Sequence, residues 1–272
     1  MTRALAPALL SLNTATVKPW TLQEAVDGCL RHGIGGISPW RDRVAEVGAA
    51  EAGRIIRAAG LRVSGLCRGG WYTAEGALTQ AVLDDNRRAV DEAAEIGAAC
   101  LVMVVGGLPE GSTDLAGARA VVAEGLARTT DYARRQGVPI AIEPLHPMYC
   151  ADRAVVPTMA QALDLADGIG GGIGVAMDAY HVWWDPDLAA QIRRAGRDRL
   201  LAFHVCDWRR ETRDLLLDRG MMGEGVIDLR GMRAAVEEAG FNGLVEFEIF
   251  SNDWWARPEE ALAAAVAWCA RG

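Results

Sequence analysis

Lysine is nearly missing from this sequence: Lys18 stands alone against 27 arginines. Schiff-base chemistry needs a desolvated amine, so only Lys18 could serve it. No two of the six cysteines (Cys29, Cys67, Cys100, Cys150, Cys206 and Cys269) form a CxxC pair, and their spacing follows no disulfide framework. They read as buried reduced thiols of a cytoplasmic protein. No apolar run approaches the ~18 residues that span a bilayer, so no membrane partner is expected. The opening "MTRALAPALLSLN" carries one arginine and a short apolar run, and "ALLSLN" makes a better buried strand than a signal peptide. Positive charge is in deficit, the net value being −8, which repels phosphate backbones and makes nucleic acid a poor partner. The strand-to-helix glycine fingerprint of dinucleotide sites is missing as well. "GIGGGIG" (168–174) precedes a strand and reads as a tight helix-to-strand turn.

What is present is periodicity. Apolar β-rich runs at 8–13, 33–40, 61–67, 99–107, 138–146, 172–181, 200–208 and 243–251 alternate with amphipathic helical runs to the end of the chain. Gly97 is placed to stop the helix before it, Asp228 to cap the start of another, and Gly240 to end it. Eight βα units in 272 residues predict a (β/α)8 TIM barrel forming a single domain over 1–272, with no linker or low-complexity tract to divide it.

In such a barrel the chemistry lies at the C-terminal ends of the strands. Four consecutive predicted strands, the fifth to the eighth, carry metal-ligand residue types there: Glu143, Asp178, His204 and Glu248. The period of two also puts Glu246 on the face of Glu248, and two inward carboxylates are costly unless neutralised. Singly, Asp178 could be a helix cap, His204 a core histidine and Glu143 half of an ion pair. In register at adjacent strand ends, three carboxylates and a histidine suit a divalent cation, Mn²⁺ first, with Mg²⁺, Co²⁺ or Zn²⁺ as alternatives. Seven of nine tryptophans (Trp40, Trp71, Trp183, Trp184, Trp208, Trp254 and Trp255) follow predicted strands. They are expected to wall a substrate site, the alternative being loop plugs or an interface between copies of a homo-oligomer.

The segments "IEPLHP", "MDAYHVWW", "FHVCDW" and "VEFEIFSNDWW" resemble those of the sugar phosphate isomerase/epimerase superfamily of xylose isomerase-like barrels, over essentially the whole chain. The resemblance implies Glu143, Asp178, His204 and Glu248 as metal ligands, with Glu248 rather than Glu246 in the eighth strand, and His181 directed at a substrate oxygen. It also implies Glu143 and Glu248 as the acid/base pair of a sugar isomerase or epimerase, moving a proton through a metal-stabilised enediolate. His146, Arg68, Arg210 and Arg213 are candidate contacts to substrate oxygens, with Trp71 and Trp184 on the wall. A metal-dependent lyase or hydratase acting on a 3-keto sugar or 3-keto glycoside would use the same enolisation. A nuclease is disfavoured by the acidic charge and by having only four histidines. A silent binding module would be expected to have lost a ligand position.

Overall fold

The structure is a computed structural model that describes residues 4–270. Its strands are β1 (Leu10–Asn13), β2 (Gly36–Ser38), β3 (Arg62–Val63), β4 (Leu66–Gly70), β5 (Leu101–Val104), β6 (Ile140–Ile142), β7 (Ile173–Asp178), β8 (Leu200–Val205) and β9 (Val245–Phe247). They form one parallel sheet in the order β3-β2-β1-β9-β8-β7-β6-β5-β4. β3 and β4 are two parts of the third barrel strand, interrupted at Ser64–Gly65. β3 pairs with β2 and β4 with β5. Across the gap Ser64 N–H reaches the Ile37 carbonyl at 3.1 Å and Cys67 N–H the Pro39 carbonyl at 3.2 Å, so the sheet closes almost completely. The architecture is the expected TIM barrel, with the third strand divided.

Around the barrel run α1 (Leu22–His32), α2 (Arg41–Ala45), α3 (Ala49–Ala58), α4 (Gln80–Ile96), α5 (Leu115–Gln136), α6 (Met159–Ile169), α7 (Ala179–Val182), α8 (Leu188–Arg199), α9 (Leu229–Glu238), α10 (Asn252–Trp255) and α11 (Pro258–Ala270). The expected punctuation is in place. Gly97 takes φ 70° after α4 and donates to the Ala93 carbonyl, and Asp228 accepts the Gly231 N–H at 2.9 Å at the start of α9. The glycine-rich stretch turns from α6 into β7 with Gly170 and Gly172 at positive φ, and Arg134 ties down the Ile169 and Gly171 carbonyls.

Two faces of each strand divide the core. Outward residues such as Leu12, Ile142, Met177, Phe203 and Phe247 are buried against the helices. Each contributes about 1.5–3 kcal/mol by leaving water. Inward, a second apolar cluster of Cys67, Cys100, Val102, Ala141, Ala176 and Ala202 fills the barrel with small side chains. Ala141, Ala176 and Ala202 each stand two residues before a candidate ligand. The strand period therefore sets Glu143, Asp178 and His204 directly above an apolar floor. All six cysteines are free, and no helix among the described residues is long and apolar enough to cross a membrane.

Candidate active site

Glu143, Asp178, His204 and Glu248 come together at the C-terminal mouth of the barrel. Each offers one ligand atom, all within 4.8 Å of one another, and all four residues are buried. Asp178 pairs in register with His204, and His204 with Glu246. His204 turns its Nδ1 to Glu143 Oε1, 3.1 Å away, while its Nε2 points down at Glu246 Oε1, 3.5 Å away. Glu246 lies beneath the cluster, 1% exposed, accepting from Asn13 Nδ2 at 2.7 Å and from Ser64 Oγ at 2.7 Å. Asn13 also donates to Glu248 Oε1 at 2.9 Å, and its own carbonyl oxygen accepts from Trp40 Nε1 and the Ala15 N–H. Asp178 does two jobs: Oδ1 accepts the Tyr180 N–H and so caps α7, while Oδ2 faces the cluster. The residues fit a divalent cation, because three carboxylates and an imidazole nitrogen converge where, among the described residues, one guanidinium side chain pairs with them.

That side chain is Arg219. It is 3% exposed, and Nη1 donates to Asp178 Oδ2 at 3.0 Å and to Glu248 Oε2 at 3.3 Å. It belongs to the long β8–α9 connection, which Asp207 anchors by accepting the backbone N–H groups of Trp208, Gly223 and Ile227. Its Nη2 stands 3.2 Å from His181 Nε2. His146 N–H donates to His181 Nδ1 at 3.2 Å, which leaves the ring proton of a neutral imidazole on Nε2. Burial, with Arg219 beside it and Asp178 opposing, pushes His181 down to about 3, so the ring is neutral. Arg219 and His181 thus place N–H groups side by side, with Asp178 Oδ2 3.0 Å from Arg219 Nη1 and 3.6 Å from His181 Nε2. Burial raises Glu248 to about 8, Glu143 adding to the effect and Arg219 resisting it. His204 rises to about 10: burial opposes the rise, and the carboxylates of Glu246, Glu143 and Glu248 outweigh it.

The sequence profile of the xylose isomerase-like TIM barrel family matches residues 26–271. The chain belongs to that family. Inosose isomerase of Bacillus velezensis is 29% identical over 152 residues, 53% of this chain and 51% of that protein. The chain thus matches about half the length of this curated relative. A solved protein of Sinorhizobium meliloti 1021 is 58% identical, with a TM-score of 0.92 over 95% of this chain and 96% of that one. A zinc-bound structure of the IolI protein superposes with a TM-score of 0.79 over 94% of each chain at 19% identity, and so shares the fold.

In this xylose isomerase-like barrel the cluster opens into a cavity of about 190 Å³. Glu143, Glu248, His181, Arg68 and Trp71 line it, as the sequence reading expects of residues that meet a substrate. Four expected contacts lie elsewhere. His146 stacks on Trp208, with ring centroids 5.2 Å apart, and acts on the cavity only through its N–H to His181. Trp184 packs edge-on against His146 and donates its indole N–H to the His181 carbonyl. Arg210 is exposed, and Arg213 pairs with Asp218 and Asp253. Of the seven rim tryptophans only Trp40 and Trp71 line the cavity. The rest brace the loops, because a position just after a strand does not fix which way a ring turns. Lys18 is exposed, its ammonium 4.5 Å from the Trp255 ring centroid, and is not among the cavity-lining residues. Arg219, Tyr149 and Arg153 also line the cavity, from connections that carry no periodic signal in the sequence. A lone arginine before the glycine of "LLLDRGMM" is the only hint of Arg219.

Proposed function

We propose that the protein is a divalent-metal-dependent sugar isomerase or epimerase that moves a proton on or off a carbon next to a carbonyl. The observation that carries this reading is the pair Glu143 and Glu248. They reach one small cavity from non-adjacent strands, each a member of the donor cluster and neither tied up in an ion pair with a surface residue. Inosose isomerase as a relative supports an isomerisation, and the zinc in the IolI protein supports a metal.

Glu143, Asp178, His204 and Glu248 would hold the cation, His204 through Nδ1 with Nε2 steadied by Glu246. A bound divalent ion supplies Lewis-acid polarisation of the substrate carbonyl. The N–H groups of Arg219 and His181 converge on a substrate oxygen and stabilise the negative charge that develops there when the neighbouring carbon loses its proton. One of Glu143 and Glu248 takes that proton, and the other returns one from its own side. The apolar lining of Val102, Val104, Leu145 and Phe250 keeps water from competing as the proton donor.

The volume favours a molecule of about one sugar ring over an aryl glycoside, so isomerisation is preferred to elimination from a large 3-keto glycoside. The deciding experiment incubates Mn²⁺-loaded protein in D₂O with a panel of ketoses, aldoses, inososes and 3-keto sugars. Deuterium entering the carbon next to the carbonyl, with a product of otherwise unchanged mass, is expected. Loss of water or an aglycone from the product would establish the lyase instead. Product formed with full retention of a carbon-bound label would overturn the two-glutamate route.

A further inference from the structure

Two arginines in the cavity remain unaccounted for by that reaction. Arg68 and Arg153 both line the cavity, yet neither makes a hydrogen bond or ion pair with any residue of the donor cluster. Arg68 follows Cys67 in β4 and lies between two indoles, its guanidinium carbon 4.6 Å from the Trp71 ring centroid and 5.6 Å from that of Trp40. Its Nη1 is buried without a hydrogen-bond partner, and no described carboxylate forms an ion pair with it. Both rings are held by other means. Trp40 donates to Asn13, and Trp71 sits at φ 54° with its backbone N–H fixed on the Val104 carbonyl at 2.8 Å. A bulky residue adopts that backbone conformation only where its surroundings enforce it, so the clamp on Arg68 is built into the end of β4. Arg153 leans on the Tyr149 ring at 5.4 Å, and its nearest acid is the exposed neighbour Asp152, 3.4 Å from Nε.

Asp178, Glu143 and Glu248, with Glu246 beneath them, are four buried carboxylates, and Arg219 is the guanidinium paired with this group. Arg68 and Arg153 line the same small space, where burial and then Arg153 disfavour the charged form of Arg68 while Glu143 and Glu248 favour it. Indole faces attract a cation but accept none of its N–H bonds in the plane, so the buried Nη1 of Arg68 keeps its donors free. A neutral sugar offers hydroxyl acceptors and no countercharge. An oxyanion offers both, and a guanidinium fork matches a carboxylate or phosphate edge with two parallel bonds.

Resting on the isomerase reading, we infer that the substrate is an acidic sugar, carrying a carboxylate or phosphate on the end away from the reacting carbons, and that Arg68 and Arg153 grip this group. The cavity is small enough for one short molecule to reach both the donor cluster and the two arginines.

Binding can be measured without turnover by calorimetric titration of the Mn²⁺-loaded protein with three probes that lack a ketone or aldehyde: sorbitol, gluconate and sorbitol 6-phosphate. At least one anionic probe should bind about 10- to 100-fold tighter than sorbitol, as charge-assisted hydrogen bonds in a partly desolvated site allow. The preferred anion identifies carboxylate or phosphate. Because gluconate can also chelate a metal directly, the ratio is remeasured in variants. It should fall toward one in Arg68→Met and in Arg153→Met, with Arg68→Lys intermediate. A ratio near one in the wild type, or one unchanged in both methionine variants, overturns the inference. If circular dichroism finds Arg68→Met unfolded, the loop variant Arg153→Met decides alone. The two readings fail separately: deuterium exchange into neutral ketoses without anion preference leaves only the isomerase, and anion preference without exchange into any carbonyl compound leaves only the anion site.

Discussion

Glu246 and Glu248 point the same way from one strand, two residues apart, and the structure gives them different surroundings. Glu248 lines the cavity and touches Arg219, while Glu246 is sealed below by Asn13, Ser64 and the far side of His204. Glu248→Gln should therefore lower turnover by about two orders of magnitude or more. Glu246→Gln should keep the metal at saturation but weaken its affinity roughly 10- to 100-fold, because a supporting carboxylate fixes the ligand imidazole. Elemental analysis beside steady-state kinetics checks both, and the reverse pattern would put the ligand at Glu246. Asp178→Asn and His204→Ala should lose the metal outright by the same analysis. Arg219 carries a separate expectation. Arg219→Met removes the guanidinium that pairs with both Asp178 and Glu248, which in the metal-free protein should cost about 3–5 kcal/mol in denaturant unfolding. Saturating Mn²⁺ should recover part of that loss.

At the scale of elements, the β8–α9 connection decides where Arg219 stands. Asp207 is 1% exposed and accepts three backbone N–H groups from that connection, and its own backbone exchanges hydrogen bonds with Gly220. Asp207→Ala should destabilise the fold by about 3 kcal/mol or more, since hydrogen bonds to a buried charge contribute about 1.5–3 kcal/mol each. It should also raise KM, the readout that separates a displaced Arg219 from simple loss of stability. The α1 cap offers a contrast far from the mouth. Thr21 and Glu24 form a reciprocal capping box, and Thr21→Ala should cost about 1 kcal/mol in thermal unfolding with kinetics unchanged.

For the whole molecule, pH and metal are coupled through the donor cluster. In the metal-free protein Glu248 lies raised to about 8 from 4.5, and His204 to about 10 from 6.5. Both groups hold protons more tightly folded than unfolded. Their contributions are therefore complete below the unfolded values and fade as pH rises through the folded ones. Asp178 is shifted the other way, below 3.8, and does not titrate in that window. The Tm of protein kept in a chelator should accordingly fall between about pH 6.5 and 8. Added Mn²⁺ should raise Tm more at the alkaline end, because the ligands must shed protons to bind it. A chelated protein whose Tm rises across that interval would show the assignment of these protons to be wrong.

Alternation of apolar runs and helical periods determined the barrel from the sequence alone, because burial on both faces of a parallel strand and on one face of a helix writes itself into composition. The period of two then carried Glu143, Asp178 and His204 to one end of the barrel. Boundaries were less legible. The run through His181 reads as strand, yet the chain turns into α7 at Ala179 because the Asp178 carboxylate caps Tyr180, a local choice that hydrophobicity does not record. Likewise Ser64–Gly65 divides the third strand where the sequence suggests one continuous run. Register pairs His204 with Glu246, and only the barrel's three-dimensional stagger brings Glu248 into the cluster in its place. Arg219, Arg153 and Tyr149 reach the cavity from loops, and the tryptophans after the strands mostly turn away from it. No pattern along the chain encodes these placements, because a loop residue's position follows from contacts made far away in sequence, such as those of Asp207 with Gly223 and Ile227.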